Sequence, residues 1–121
     1  MPKKILVVDD EPDLVHMIKS VLEKDGYEVI TASDGHQALN TIKAMAPDLM
    51  IVDLTMPVMS GWHFSSKVRQ DERYKKTPII VLSGLIEHEK EPQQFETADV
   101  YMAKPFDVFK LAEKVKELLA K

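Results

Sequence analysis

Ile5-Leu6-Val7-Val8-Asp9-Asp10 is the stretch that decides the fold. Four apolar residues in a row, three of them β-branched, suit a strand buried on both faces. Two carboxylates stand at its C-terminal end. The same arrangement recurs along the chain. Leu49–Val52 runs into Asp53, Ile79–Leu82 into Ser83, and Val100–Ala103 into Lys104. In open α/β sheets, ligands bind outside the carboxyl ends of the strands, where strand order reverses. Asp9, Asp10, Asp53, Ser83 and Lys104 are therefore expected to converge. Three carboxylates, a hydroxyl and an ammonium suit a divalent cation and a phosphoryl group.

Helical patterns alternate with these runs. Pro12 sits near a helix start, where its missing N–H costs nothing. Leu14, Ile18, Val21 and Leu22 form an apolar stripe, and Gly26 is placed to end the helix. Tyr27–Thr31 reads as the second strand. Ser33-Asp34-Gly35 turns into a helix carrying Ala38, Leu39 and Ile42, and Pro47 ends it. Met56-Pro57 and Ser60-Gly61 mark a loop, and a short helix with Phe64 and Val68 four apart follows. Val108, Leu111, Ala112, Val115 and Leu118 give the clearest helix. Between Ile86 and Thr97, Pro92 predicts a short, broken or late-starting helix. Five strands separated by helices predict a parallel sheet with helices on both faces and right-handed crossovers.

The chain has 121 residues, which suits one domain and not two. A net charge of −4 argues against binding nucleic acid through its phosphates. No apolar run approaches the ~18 residues of a membrane span, and the N-terminal apolar stretch is too short for a signal peptide. The sequence contains no cysteine, which excludes disulfides and thiolate chemistry and fits a reducing cytoplasm.

Adjacent carboxylates at a strand end repel unless a cation offsets them, by about 4 kcal/mol for a pair ~4 Å apart at an effective dielectric of 20. Mg²⁺, a hard ion that prefers oxygen ligands, removes that cost. Helix capping by Asp10 or Asp13 is the plainer alternative. Asp53 has the chemistry of a nucleophile that attacks phosphorus to form an acyl phosphate, or simply of a turn aspartate. Ser83 has no histidine placed to act as its base. His16, His36, His63 and His88 all fall away from strand ends, which argues against a Ser-His-Asp hydrolase and a histidine metal site. Lys104 would face the acidic cluster, held extended by Pro105. A cis Lys104–Pro105 bond is open at this point.

Together Asp9-Asp10, Asp53 within Asp53-Leu54-Thr55-Met56-Pro57-Val58-Met59-Ser60-Gly61, Ser83-Gly84 and Lys104-Pro105-Phe106 resemble the receiver domain of two-component response regulators. The resemblance extends from Lys4 to about Leu119. It implies a flavodoxin-like, doubly wound five-stranded parallel sheet in the order 2-1-3-4-5. It also implies a single receiver domain over residues 1–121, expected to stand alone without an output domain; a receiver belonging to a longer regulator is the alternative.

By the same resemblance, Asp53 is the phosphoacceptor. Asp10, Asp53 and the backbone carbonyl of Thr55 hold Mg²⁺, and Asp9 acts through a metal-bound water. Ser83 and Lys104 contact the phosphoryl oxygens, and Tyr101 is the switch aromatic. Thr55 and Leu85 are the positions that tune dephosphorylation, and neither can place an attacking water, so a long-lived phosphate is expected. The implied function is a cytoplasmic signalling switch rather than an enzyme. It takes phosphate from a histidine kinase or phosphotransfer protein and signals to a downstream protein through the fourth helix, fifth strand and last helix. Direct contact with nucleic acid or membrane is not implied, and a phosphorylation-dependent dimer is allowed. An aspartyl phosphatase of the haloacid-dehalogenase type fits less well, because Thr55 stands where its second aspartate would be. A nucleotide-binding fold lacks its Gly-rich loop after the first strand. A receiver-like scaffold that never takes phosphate is the remaining alternative.

Overall fold

The computed structural model describes residues 2–54, 58–83 and 98–120. Five strands form one parallel sheet: β1 (Lys4–Val8), β2 (Glu28–Ala32), β3 (Leu49–Asp53), β4 (Ile79–Ser83) and β5 (Val100–Ala103). Their order is β2-β1-β3-β4-β5, which puts β1 and β3 side by side at the centre. Val8 pairs with both Ala32 and Val52, Asp53 with Leu82, and Ser83 with Ala103. Asp53 and Ser83 are thus the last residues of their strands rather than the first beyond them. β2 lies one residue later than its apolar run suggested. The expected helix between Ile86 and Thr97 lies outside the described residues.

Strand alternation sorts the apolar residues into two layers. Ile5, Val7, Leu49, Ile51, Ile80 and Leu82 pack with α1 (Pro12–Lys24) and α4 (Val108–Leu119). Leu6, Val8, Met50, Val52, Ile79 and Val81 pack on the other face, with Ala38 and Ile42 of α2 (Gly35–Ala44) and Phe64 and Val68 of α3 (Gly61–Gln70). All twelve strand residues are fully buried, which is why these strands read as continuous apolar runs rather than as alternating ones. Each such side chain contributes about 1.5–3 kcal/mol of burial.

Local signals set the helix ends. Pro12 opens α1, and Gly26 follows its C-cap with φ +95°, a left-handed conformation that favours glycine. Neither Asp10 nor Asp13 caps α1. The N-cap residue is Glu11, whose side chain makes no capping bond; the Asp9 carboxylate instead accepts the Glu11 N–H at 2.9 Å. Asp34, Ser60 and Asp107 cap α2, α3 and α4 through their side-chain oxygens. Among the described residues, no helix is long and apolar enough to cross a membrane.

Candidate functional site

Parallel strands bring all their C-terminal ends to one edge of the sheet. Asp9 follows β1 and Asp53 ends β3, and the two strands are neighbours. Both carboxylates are buried, while Asp10 is exposed at the rim. Asp9, Asp10 and Asp53 each offer an oxygen, and these oxygens lie within 4.8 Å of one another.

Lys104 reaches this cluster from β5. Its main-chain N–H donates to the Ser83 carbonyl at 2.6 Å, and the Lys104–Pro105 bond is cis. Its Nζ donates to Asp9 Oδ2 at 3.0 Å and to Glu11 Oε1 at 2.8 Å, and stands 3.5 Å from Asp53 Oδ1. Burial opposes the charge on this ammonium. Hydrogen bonds to Glu11 and Asp9 and the charges of Asp53 and Asp9 outweigh that burial and hold the group above the ordinary lysine range. Lys104 is therefore a fixed cation at neutral pH.

The pleat divides the expected residues into two sets. Asp9, Asp53 and Lys104 continue the layer of Val7, Ile51 and Met102, on the α1 and α4 side. Ser83 continues the opposite layer, after Ile79 and Val81, and is 1% exposed. Tyr101 is half-buried against that same layer. Charge collects on one side of the sheet, and the expected switch residues start from the other. Thr55 and Leu85 lie outside the described residues. His16, His36 and His63 all sit on helices, and none joins the acidic trio, although His16 lines a hollow with Asp9 and Asp10.

Two residues gain a role that their sequence context did not reveal. Glu11 carries no motif that singles it out in the sequence, yet it makes the shortest bond to the Lys104 ammonium. Gly61 read as part of a loop signature. It is buried, its N–H donates to the Leu54 carbonyl at 2.9 Å, and its α-carbon faces the backbone of Asp53 and Leu54. A Cβ there would lie 2.8 Å from Leu54 Cα and 3.0 Å from the Asp53 carbonyl carbon. Backbone atoms cannot yield as a flexible side chain would, so glycine is required beneath Asp53.

The donor set fits a hard cation. All three side chains offer carboxylate oxygens, the ligand type that Mg²⁺ takes. Oxygens held about 2.1 Å from an octahedral ion are about 3 Å apart when adjacent and about 4.2 Å when opposite. The trio is already near that span.

The pattern described as the response regulator receiver domain matches residues 5–116. The chain belongs to that family. Among curated relatives, this receiver is 39% identical over 120 residues to the alkaline phosphatase synthesis transcriptional regulatory protein PhoP of Bacillus subtilis. The match covers 98% of this chain and 49% of that protein. This receiver therefore spans about half the length of that relative. Among solved structures it is similar to the chemotaxis response regulator CheY4 of Vibrio cholerae, at 35% identity and a TM-score of 0.90, covering 98% of this chain and 99% of that one. It is also similar to the response regulator TrrA of Thermotoga maritima, described in complex with Mg²⁺-BeF. There the identity is 38%, the TM-score 0.85, and the coverage 96% of this chain and 98% of that one. The strand order expected from the family is the one observed.

Proposed function

We propose that this receiver is a Mg²⁺-dependent phosphoryl switch with Asp53 as its acceptor. One observation carries the reading: the buried Asp53 carboxylate shares the end of the central strands with Asp9, Asp10 and a fixed ammonium 3.5 Å away. An Asp53 oxygen attacks phosphorus, the bond from phosphorus to the donor breaks, and that electron pair leaves with the donor. A phosphohistidine of a histidine kinase or phosphotransfer protein is the donor the family implies, and its imidazole then takes a proton from water. Asp10 and Asp53 would hold Mg²⁺ directly with the Thr55 carbonyl, and Asp9 through water. The ion would neutralise charge on the transferring group. Lys104 supplies a second positive charge, and Ser83 a hydroxyl for a phosphoryl oxygen.

A donor protein must cover the site, and Leu14, Met17, Pro105 and Phe106 give the rim beside Lys104 an apolar wall lining a hollow of about 340 Å³. Tyr101, half-buried in the opposite layer, is where a move of Ser83 toward phosphate would be felt. The output would then pass through the face that contains β5 and α4 to a downstream protein.

Intact mass after incubation with Mg²⁺ and acetyl phosphate tests this reading. The expected result is a gain of one phosphoryl group, lost with EDTA and absent in Asp53→Asn. No gain in the folded protein, with a cognate kinase also tried, would make it a scaffold instead.

A further inference from the structure

Lys104 does not rest on the phosphoacceptor. The shortest bond of its ammonium, 2.8 Å, goes to the exposed Glu11 at the rim, while Oδ1 of the buried Asp53 is 3.5 Å away. The ammonium has three N–H donors and faces three carboxylates, Asp9, Glu11 and Asp53. Glu11 and Asp53 compete for the same ammonium, the first at 2.8 Å and the second at 3.5 Å.

The identity of Glu11 is not explained by its place in the helix. It occupies the N-cap of α1, where Ser, Thr, Asp or Asn would bond the free N–H groups. Its side chain makes no such bond. The carboxylate of Asp9 serves the Glu11 N–H instead. The Glu11 side chain is 60% exposed, and among the described residues its carboxylate pairs with Lys104 alone.

We infer that Glu11 is a positioning residue that holds Lys104 short of the acceptor and competes with the phosphoryl group for it. The inference rests on the acceptor reading of Asp53. When Asp53 is phosphorylated, negative charge moves outward from its carboxylate onto the phosphoryl oxygens. A phosphoryl oxygen must then share the Lys104 ammonium with Glu11, which already takes its shortest bond. Part of the attraction between lysine and phosphoryl group is therefore spent on breaking an existing ion pair. Without the Glu11 carboxylate, the N–H that it occupies is free for a phosphoryl oxygen. The same unit of charge elsewhere on α1 has no such hold.

Beryllofluoride, a phosphoryl mimic, tests this at saturating Mg²⁺ with the fluorescence of the single tryptophan, Trp62, as readout. Mg²⁺ is first titrated alone on each variant, so that any change in metal affinity is measured separately. Glu11→Gln should tighten beryllofluoride binding about threefold, the scale of one partly exposed ion pair, and Glu11→Ala at least as much. Asp13→Asn removes a charge from the first turn of α1 without touching Lys104, and should leave the affinity unchanged. Thermal melting confirms that each variant is folded. Equal or weaker binding by both Glu11 variants overturns the inference and leaves the acceptor reading intact, as does an equal gain in Asp13→Asn. If the parent protein neither binds beryllofluoride nor gains a phosphoryl group, the acceptor reading falls and this inference falls with it.

Discussion

Asp10→Asn should stabilise the metal-free protein and abolish most of its response to Mg²⁺. Asp9 and Asp53 both have Lys104 as a counter-charge. Among the described residues no hydrogen bond or ion pair holds Asp10, yet its carboxylate lies within 4.8 Å of both others. At 4.8 Å two unit charges repel by about 3.5 kcal/mol at an effective dielectric of 20, and by about 0.9 kcal/mol in bulk water. Asp10 is exposed, so about 1–2 kcal/mol per neighbour is the reasonable range. Two neighbours, less the attraction of the nearby lysine, leave a net gain of about 1–3 kcal/mol. For 121 residues the entropy of unfolding makes each kcal/mol worth about 4 °C. Asp10→Asn should therefore melt about 4–12 °C higher than the parent in EDTA. The gain should shrink in high salt, which screens exposed charges.

Mg²⁺ reverses the ranking. At 100 times its dissociation constant a ligand stabilises by about 2.7 kcal/mol, or roughly 11 °C here. The parent should show that rise, and the variant only a small part of it. Melting curves in EDTA and across a Mg²⁺ titration decide the matter. A variant that is no more stable without metal would refute the repulsion argument. One that keeps the full Mg²⁺ response would show that Asp10 is not a ligand.

Three other perturbations follow from the geometry. Val58 is β-branched, 79% exposed and held at φ 68°; Val58→Asn should raise stability by about 1 kcal/mol in a denaturant titration, and a loss would show that the side chain contributes more than its backbone strain costs. Gly61→Ala would press a methyl group on the backbone of Asp53 and Leu54. It should cost about 1–3 kcal/mol and slow phosphorylation of Asp53, so unchanged kinetics would place the acceptor elsewhere. The Lys104 ammonium is held above its ordinary range, so its contribution is complete below an unfolded pKa of about 10.4 and declines only as pH rises beyond it. The stability difference between the parent and Lys104→Met should thus stay flat from about pH 7 to 10, and a fall within that window would mean that the lysine is not paired in solution.

The fold class was legible because its signals are local. An apolar run buried on both faces, a capping residue and a terminating Gly26 each act within a few residues. The expected site residues were legible for a related reason. A parallel sheet carries every strand's C-terminal end to the same edge, so Asp9, Asp53, Ser83 and Lys104 had to gather there once the strands were recognised. The alternative that Asp10 or Asp13 caps α1 falls away, because the N-cap residue is Glu11 and Asp9 serves its N–H.

The rest depended on contacts between distant parts of the chain. Strand order is not written in chain order, and only the assembled sheet sets β1 beside β3 and joins the two buried carboxylates. Pleat parity then decides that charge gathers in one layer while Ser83 and Tyr101 start from the other. Glu11 meets Lys104 across 93 positions of sequence, and no local pattern marks that pair. Gly61 looks like any turn glycine until α3 lays it on the backbone of Asp53. Composition and periodicity determine which residues lie at the site's edge of the sheet. Which of them hold one another there is a matter of three-dimensional proximity, and only packing creates it.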